Sequence, residues 1–108
     1  MDVAMAIYTI TKTFPADEKY SLVDQIRRSS RSVAANISEA WRKRRYEAAF
    51  ISKLNDSEAE ASETQTWIEV AKRCSYIDKE TAKQLDEKYE HILARLVTMS
   101  RDAKNWTL

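Results

Sequence analysis

Apolar side chains recur along this chain at alternating steps of three and four residues, the spacing that places them on one face of an α-helix. The clearest run lies in the C-terminal third and predicts a helix over about residues 78–105, with Asp78 as its N-cap. A similar run predicts a helix over about residues 46–74. The two runs are Ala82, Leu85, Tyr89, Ile92, Leu96, Met99, Ala103 and Trp106, and Phe50, Leu54, Ser57, Ala61, Thr64, Ile68, Ala71 and Ser75.

Two further helices are predicted upstream, over about residues 2–13 and 18–42. Pro15 separates them because proline cannot continue a helix, and Asp17 is placed to cap the second one. The face of the first consists of Val3, Ile7, Ile10 and Phe14, and that of the second of Leu22, Ile26, Ser29, Val33, either Asn36 or Ile37, and Ala40.

The weakest predicted boundary lies between the second and third helices, because Trp41–Tyr46 contains no glycine, proline, serine or asparagine. We infer a turn there from the shift in register between the two apolar runs. The alternative is one continuous helix over about residues 18–74, which would need a domain-swapped partner to complete its packing. At the next boundary, Ser75 stands where a helix-ending glycine is common, and left-handed geometry there would cost on the order of 1 kcal/mol.

Composition supports helices over strands. The chain has 108 residues, no glycine and a single proline, whereas hairpins, phosphate loops and nucleotide-binding crossovers depend on glycine. We therefore predict one all-α domain over residues 1–108, folded as an antiparallel four-helix bundle. Because the chain has no signal-peptide pattern and no apolar run of about 18 residues, we expect a cytoplasmic protein without membrane contact.

Two blocks of the sequence resemble a known family. The first contains Ile7–Pro15, Glu18, Leu22, Gln25–Ser29, Ser32–Val33 and Asn36–Glu39, and the second contains Glu60–Thr64, Trp67–Glu69 and Tyr76–Ile77. In these residues the chain resembles the four-helix bundle family that includes the proteins encoded in intervening sequences of bacterial 23S ribosomal RNA genes. It departs from the family at Ala40, where glycine is usual, and it begins later than the usual first helix, so part of that helix is expected to be missing.

The resemblance implies an up-down-up-down bundle that assembles into a ring-like homo-oligomer, commonly a pentamer, with no established enzymatic activity. Related proteins are accessory factors of diversity-generating retroelements, where they bind nucleic acid and partner a reverse transcriptase. The resemblance therefore makes RNA, DNA and a reverse transcriptase expected partners to consider.

A polar stripe follows one face of the second predicted helix. Its members are Gln25, Ser29, Ser32, Asn36 and Glu39, which advance by steps of four and three. Glu60 and Glu63 could accept hydrogen bonds from Arg27, Arg28 or Asn36. We favour a buried network that fixes helix register or subunit contacts, and we keep a solvated face and a ligand site as alternatives.

The net charge is only +1, but the charges are segregated. The span Arg27–Arg45 holds seven basic residues against Glu39, while Glu47–Glu63 holds five acids against Lys53. The basic side chains, with two flanking aromatic rings, form a candidate nucleic-acid surface: Arg27, Arg28, Arg31, Trp41, Arg42, Lys43, Arg44, Arg45 and Tyr46. The alternative is a solvated loop whose charges favour a helix C-terminus or pair with the acidic span of a neighbouring subunit.

No residue set indicates an enzyme. His91 lacks the Glu-x-x-His spacing of di-iron bundles, and Cys74 has no evident base nearby. We expect no catalytic residues, no metal and no cofactor. The methionines are scattered at positions 1, 5 and 99, so we also expect no methionine-rich surface.

Overall fold

The computed structural model describes residues 1–108 as an all-α protein with four α-helices and no β-strand. The helices are α1 (Asp2–Thr11), α2 (Leu22–Arg42), α3 (Glu47–Arg73) and α4 (Lys79–Arg101), and short 3₁₀ turns cover Ala16–Glu18 and Ala103–Asn105. The all-α prediction is confirmed.

Consecutive helices run in opposite directions. In α2 and α3, Ser29 meets Thr64 while Glu39 meets Lys53, so later residues of α2 pair with earlier residues of α3. The same reversed order holds in the other neighbouring helices, where Thr11 contacts Arg27, Tyr8 contacts Arg31, Gln65 contacts Glu90, and Leu54 and Leu96 belong to one core cluster. The helices are therefore arranged up-down-up-down.

All four helices contribute to the main hydrophobic core. Ile7 of α1, Ile26 of α2, Ile68 of α3, and Leu85 and Tyr89 of α4 are buried in one cluster. A second cluster, around Phe50 and Leu54, joins the end of α2 to the end of α4. Most of the positions chosen by the three-four spacing are buried or half-buried, but Ser75 and Trp106 are exposed.

Small residues line the contact between α2 and α3. Ser29, Ser57, Ala61 and Thr64 are all completely buried. Ser57 donates a hydrogen bond to the backbone oxygen of Val33 at 2.9 Å, and the Thr64 and Ser29 hydroxyl oxygens lie 2.8 Å apart. Because these hydroxyl groups have partners, their burial does not leave polar atoms unsatisfied, and the two backbones can approach closely.

Tyr89 of α4 contacts the buried hydroxyl groups of the α2–α3 contact. Burial raises the pKa of Tyr89 to about 12, while a hydrogen bond with Thr64 acts in the opposite direction. Ser29, Thr64 and Tyr89 therefore form a polar layer across α2, α3 and α4.

Two predicted boundaries of α2 have different outcomes. The helix starts at Leu22 rather than near residue 18, because Ala16–Glu18 forms a separate 3₁₀ turn and Ser21 has the non-helical φ of −125°. Ser21 donates a hydrogen bond to Glu18 at 2.6 Å, and the predicted cap by Asp17 is absent. At the other end, α2 stops at Arg42 and α3 starts at Glu47, which excludes the continuous helix.

The end of α3 has the left-handed residue that the sequence suggested. Ser75 has a φ of 61°, its N–H donates to the Lys72 oxygen, and the N–H of Tyr76 donates to the Ala71 oxygen. These two bonds define a Schellman motif, in which glycine is the usual left-handed residue.

We predict that Ser75→Gly raises the free energy of unfolding by about 1 kcal/mol, because glycine adopts this geometry without a steric penalty. Urea denaturation monitored by circular dichroism will measure the change. The matched control is Ser52→Gly, an exposed position inside α3, where the same substitution should destabilise by about 0.5–1 kcal/mol. A lower stability for Ser75→Gly would contradict the prediction.

Candidate functional site

The seven basic residues of the span Arg27–Arg45 do not form one continuous patch. Arg27 and Arg42 stand about 22 Å apart along α2, at 1.5 Å per residue. Arg27 and Arg31 lie against α1, Arg28 lies against α3, and the remaining four lie at the α2–α3 turn. The fold therefore offers three separate basic places, each with its own surroundings.

The first place is the α2–α3 turn. Arg44 lies over Trp41, with the guanidinium carbon 3.6 Å from the ring centre, and its Nε donates to the Trp41 backbone oxygen at 3.0 Å. Trp41 is 47% exposed and Tyr46 is 65% exposed. Arg42, Lys43 and Arg45 are also exposed. Aromatic faces and cations are thus presented together to solvent.

The C-terminal segment completes this end of the bundle. The ring of Trp106 lies edge-on to Trp41 with centroids 6.2 Å apart, and the N–H of Leu108 donates to the Arg44 oxygen at 3.0 Å. We call this end the basic end. Its charged residues are Arg42, Lys43, Arg44, Arg45, Arg101 and Lys104, against Glu47 and Asp102.

The sequence did not assign Trp106, Arg101 and Lys104 to this surface. Trp106 continues the apolar spacing of α4, so a core or interface role was the natural interpretation. It lies instead beyond a break in the helix, after Asp102, and is 38% exposed. Only the tertiary contact with Trp41 reveals that it belongs to the basic end.

The second basic place surrounds Tyr8 on α1. Lys12, Arg27 and Arg31 place their cationic groups 4.8, 4.6 and 5.7 Å from the centre of the Tyr8 ring. Arg27 is half-buried and is held by hydrogen bonds to the Thr11 hydroxyl and the Tyr8 backbone oxygen. None of the three cations takes part in an ion pair with a carboxylate of this chain. We call these four residues the Tyr8 cluster.

The third place is Arg28, which is neutralised within the fold. Its guanidinium donates to Glu60 at 3.1 Å and to Glu63 at 2.6 Å. The hydrogen bond from Arg28 is the main reason that the pKa of Glu63 lies below its ordinary value. Since such surface pairs contribute about 0–1 kcal/mol, this contact fixes the α2–α3 register more than it stabilises the fold.

The predicted polar network is only partly assembled. Ser29 is buried against Thr64, and Glu60 and Glu63 share Arg28, but Glu39 is exposed and pairs with Lys53 at 2.9 Å. Gln25 is exposed, and Ser32 and Asn36 are half-buried. Arg27 turns to α1 instead of the two glutamates. The stripe therefore lies along the α2–α3 contact as separate interactions rather than as one buried network.

An apolar groove runs between α1 and α2 beside the Tyr8 cluster. Its volume is about 290 Å³, and it is lined by Met1, Ala4, Met5, Tyr8, Arg31, Ala34, Ala35 and Ser38. Met1 and Met5 are 80% and 57% exposed. Contrary to the sequence-based expectation, two methionines thus share one surface, because they are one helical turn apart on α1. We call this surface the α1–α2 groove.

The remaining candidate residues stand apart from one another. His91 and Cys74 are exposed on different parts of the bundle. No three histidine, cysteine or acidic side chains are grouped in a way that would hold a metal ion. None of the helices combines the length and apolar character that crossing a membrane requires.

Comparison with known proteins gives a family match and structural matches. The family model described as "23S rRNA-intervening sequence protein" matches residues 1–98. A crystal structure of a protein of unknown function from the S23 ribosomal protein family of Bacteroides thetaiotaomicron superposes with a TM-score of 0.83. The two chains are 32% identical, over 93% of this chain and 89% of the other. No curated protein matches the sequence.

Proposed function

Because this chain belongs to the family of 23S rRNA-intervening sequence proteins, we propose that it is a non-catalytic interaction protein that works as a homo-oligomer. The observation that supports the proposal is the α1–α2 groove. Two exposed methionines and three alanines there leave apolar surface in contact with water. Removing such surface from water is the main driving force of subunit association.

The composition of the groove suits a helical partner. Alanine and serine side chains form a low floor, which lets another backbone approach, and methionine adapts its shape to the surface that it meets. The resemblance described above adds that the assembly is a closed ring, commonly of five subunits. We propose a pentameric ring in the cytoplasm as the working form.

Size-exclusion chromatography with multi-angle light scattering at micromolar concentration tests this proposal. The wild-type protein should have a mass several times that of the 12.6 kDa chain. Ala35→Lys should convert it to the monomer, because a charged side chain would be buried in the groove without a partner. Ala16→Lys, an exposed alanine of the 3₁₀ turn at the other end of the bundle, is the control and should leave the mass unchanged. A monomeric wild-type protein would overturn the proposal.

A second candidate function, binding of RNA or DNA, is favoured by the basic end. Cations there can neutralise phosphates, and the partly exposed rings of Trp41, Tyr46 and Trp106 can stack on unpaired bases. Arg44 already lies against the indole ring of Trp41, so this residue can hold the side chain of Trp41 in place and also bind a phosphate. In this role the protein would be an accessory factor that brings a single strand to a partner enzyme, such as a reverse transcriptase.

Fluorescence anisotropy with a labelled single-stranded RNA and a DNA of the same sequence tests this second function. Affinity should fall steeply between about 50 and 200 mM salt, because phosphate contacts release counterions. Trp41→Ala should weaken binding about tenfold, within the range for loss of one stacked base. Tyr20→Ala removes an aromatic ring that is 83% exposed far from the basic end, and it should have no effect. No binding at low salt would exclude this function.

A further inference from the structure

The Tyr8 cluster combines three unneutralised cations with the end of an apolar groove. Lys12 and Arg31 are exposed, and Arg27 is fixed by two hydrogen bonds that leave part of its guanidinium free. Three like charges within 6 Å of one ring repel each other unless an anion joins them. The surface therefore fits a partner that carries carboxylates next to small apolar side chains.

Such a surface is present on the opposite side of the same molecule. Glu87, Glu90, Ala94 and Val97 follow each other on α4 at steps of three and four, so they form one stripe. All four are exposed, and Val97 is 51% exposed. Gln65 of α3 donates to Glu90 at 2.8 Å, which places the stripe on the α3–α4 side, away from the α1–α2 groove. We call it the α4 stripe.

We propose that the α1–α2 groove and Tyr8 cluster of one copy bind the α4 stripe of a second copy. In this contact, Arg27 and Arg31 meet Glu87 and Glu90, and the alanine and methionine side chains of the groove meet Ala94 and Val97. The inference rests on the proposed homo-oligomer and names the two surfaces that join its subunits.

The levels of the two surfaces along the bundle support this pairing. Ser29, Thr64 and the Tyr89 hydroxyl group form one layer, so Ser29 of α2 and Tyr89 of α4 are level to within about one helical turn. The two helices run in the same direction with the same rise per residue. Arg27 and Glu87 are consequently level to within about one turn, and so are Ala34 and Ala94. A copy rotated about an axis parallel to the bundle can therefore meet its neighbour with little shift along that axis.

One more pair of oppositely charged residues would lie opposite each other in the proposed contact. Asp24 on α2 and Lys83 on α4, both exposed, precede the two surfaces by about one turn and are also nearly level. Along α2 an acidic residue is followed by two basic residues and an apolar one. Along α4 a basic residue is followed by two acidic residues and an apolar one, so the charges of the two surfaces are complementary. Because the two surfaces differ, the contact is heterologous, and it forms a ring when the rotation between copies is a whole fraction of a full turn without translation.

Charge reversal with light scattering and sedimentation tests the contact. Arg31→Glu and Glu90→Arg should each weaken assembly at least about tenfold, since each places like charges opposite one another. The double variant, Arg31→Glu with Glu90→Arg, should recover assembly to within about threefold of the wild-type protein, because the pair is restored in reverse. Val97→Lys should dissociate the oligomer independently of the ion pairs. Arg95→Glu makes the same charge change elsewhere on α4 and should have no effect.

The outcomes separate this inference from the proposed function. An oligomeric wild-type protein whose assembly survives both Arg31→Glu and Val97→Lys would overturn the pairing and leave the homo-oligomer standing. A monomeric wild-type protein would overturn the homo-oligomer itself. If Arg31→Glu lowered affinity for single-stranded RNA while the mass stayed the same, the Tyr8 cluster would be a phosphate site and the pairing would be wrong.

Discussion

Replacing Phe50 by alanine is expected to lower the free energy of unfolding by about 3–5 kcal/mol. The side chain is completely buried between Ala40, Leu54, Leu96 and Ala103. The truncation removes its apolar contacts and leaves a cavity that the ends of the surrounding helices cannot easily fill. Urea denaturation will show the loss as a lower midpoint at an unchanged slope.

Tyr46→Ala is the matched control for this prediction. It removes an aromatic ring one helical turn before Phe50, but that ring is 65% exposed, so the free energy of unfolding should change by at most about 0.5 kcal/mol. Equal effects of the two substitutions would show that the second core cluster does not hold this end of the bundle together.

Ala61→Leu is expected to destabilise the protein by about 3 kcal/mol, at the upper end of the range for overpacking. Ala61 is completely buried in the α2–α3 contact, in the cluster that includes Ile26 and Val33. Three additional carbon atoms would force the two helices apart there. The polar contacts between Ser29 and Thr64 would be stretched as a consequence.

Ala59→Leu adds the same atoms to an exposed position of α3, two residues before Ala61. Its effect should stay within about 0.5 kcal/mol. Thermal denaturation of both variants will measure the difference. A well-tolerated leucine at position 61 would contradict close packing of α2 against α3.

Local patterns predicted most of the helical architecture. Asp78 accepts a hydrogen bond from the N–H of Thr81 at 2.7 Å, as expected for an N-cap, and Ser75 is left-handed. The break after Arg42 also follows from the change in apolar register. Each of these features depends on a few neighbouring residues, which the sequence displays directly.

The surfaces were harder to predict because they combine residues that are distant in sequence. Arg27 and Arg28 are neighbours, yet a rotation of about 100° per residue sends one to α1 and the other to α3. The start of α2 was misplaced because Ser21 bonds to Glu18 and stops the 3₁₀ turn from joining the helix. Trp106 reaches Trp41 only through the fold of the C-terminal segment.

The contact between Trp41 and Trp106 also gives the molecule an internal optical reporter. Two indole rings with centroids 6.2 Å apart and planes inclined by 64° are close enough for their electronic transitions to couple. Near-ultraviolet ellipticity from this pair should vanish when the C-terminal segment detaches, even while the far-ultraviolet helical signal persists. The third tryptophan, Trp67, donates to Glu63 on α3 and provides a separate emission signal from a part of the molecule away from this pair. Fraying of one end can therefore be followed spectroscopically without any added dye.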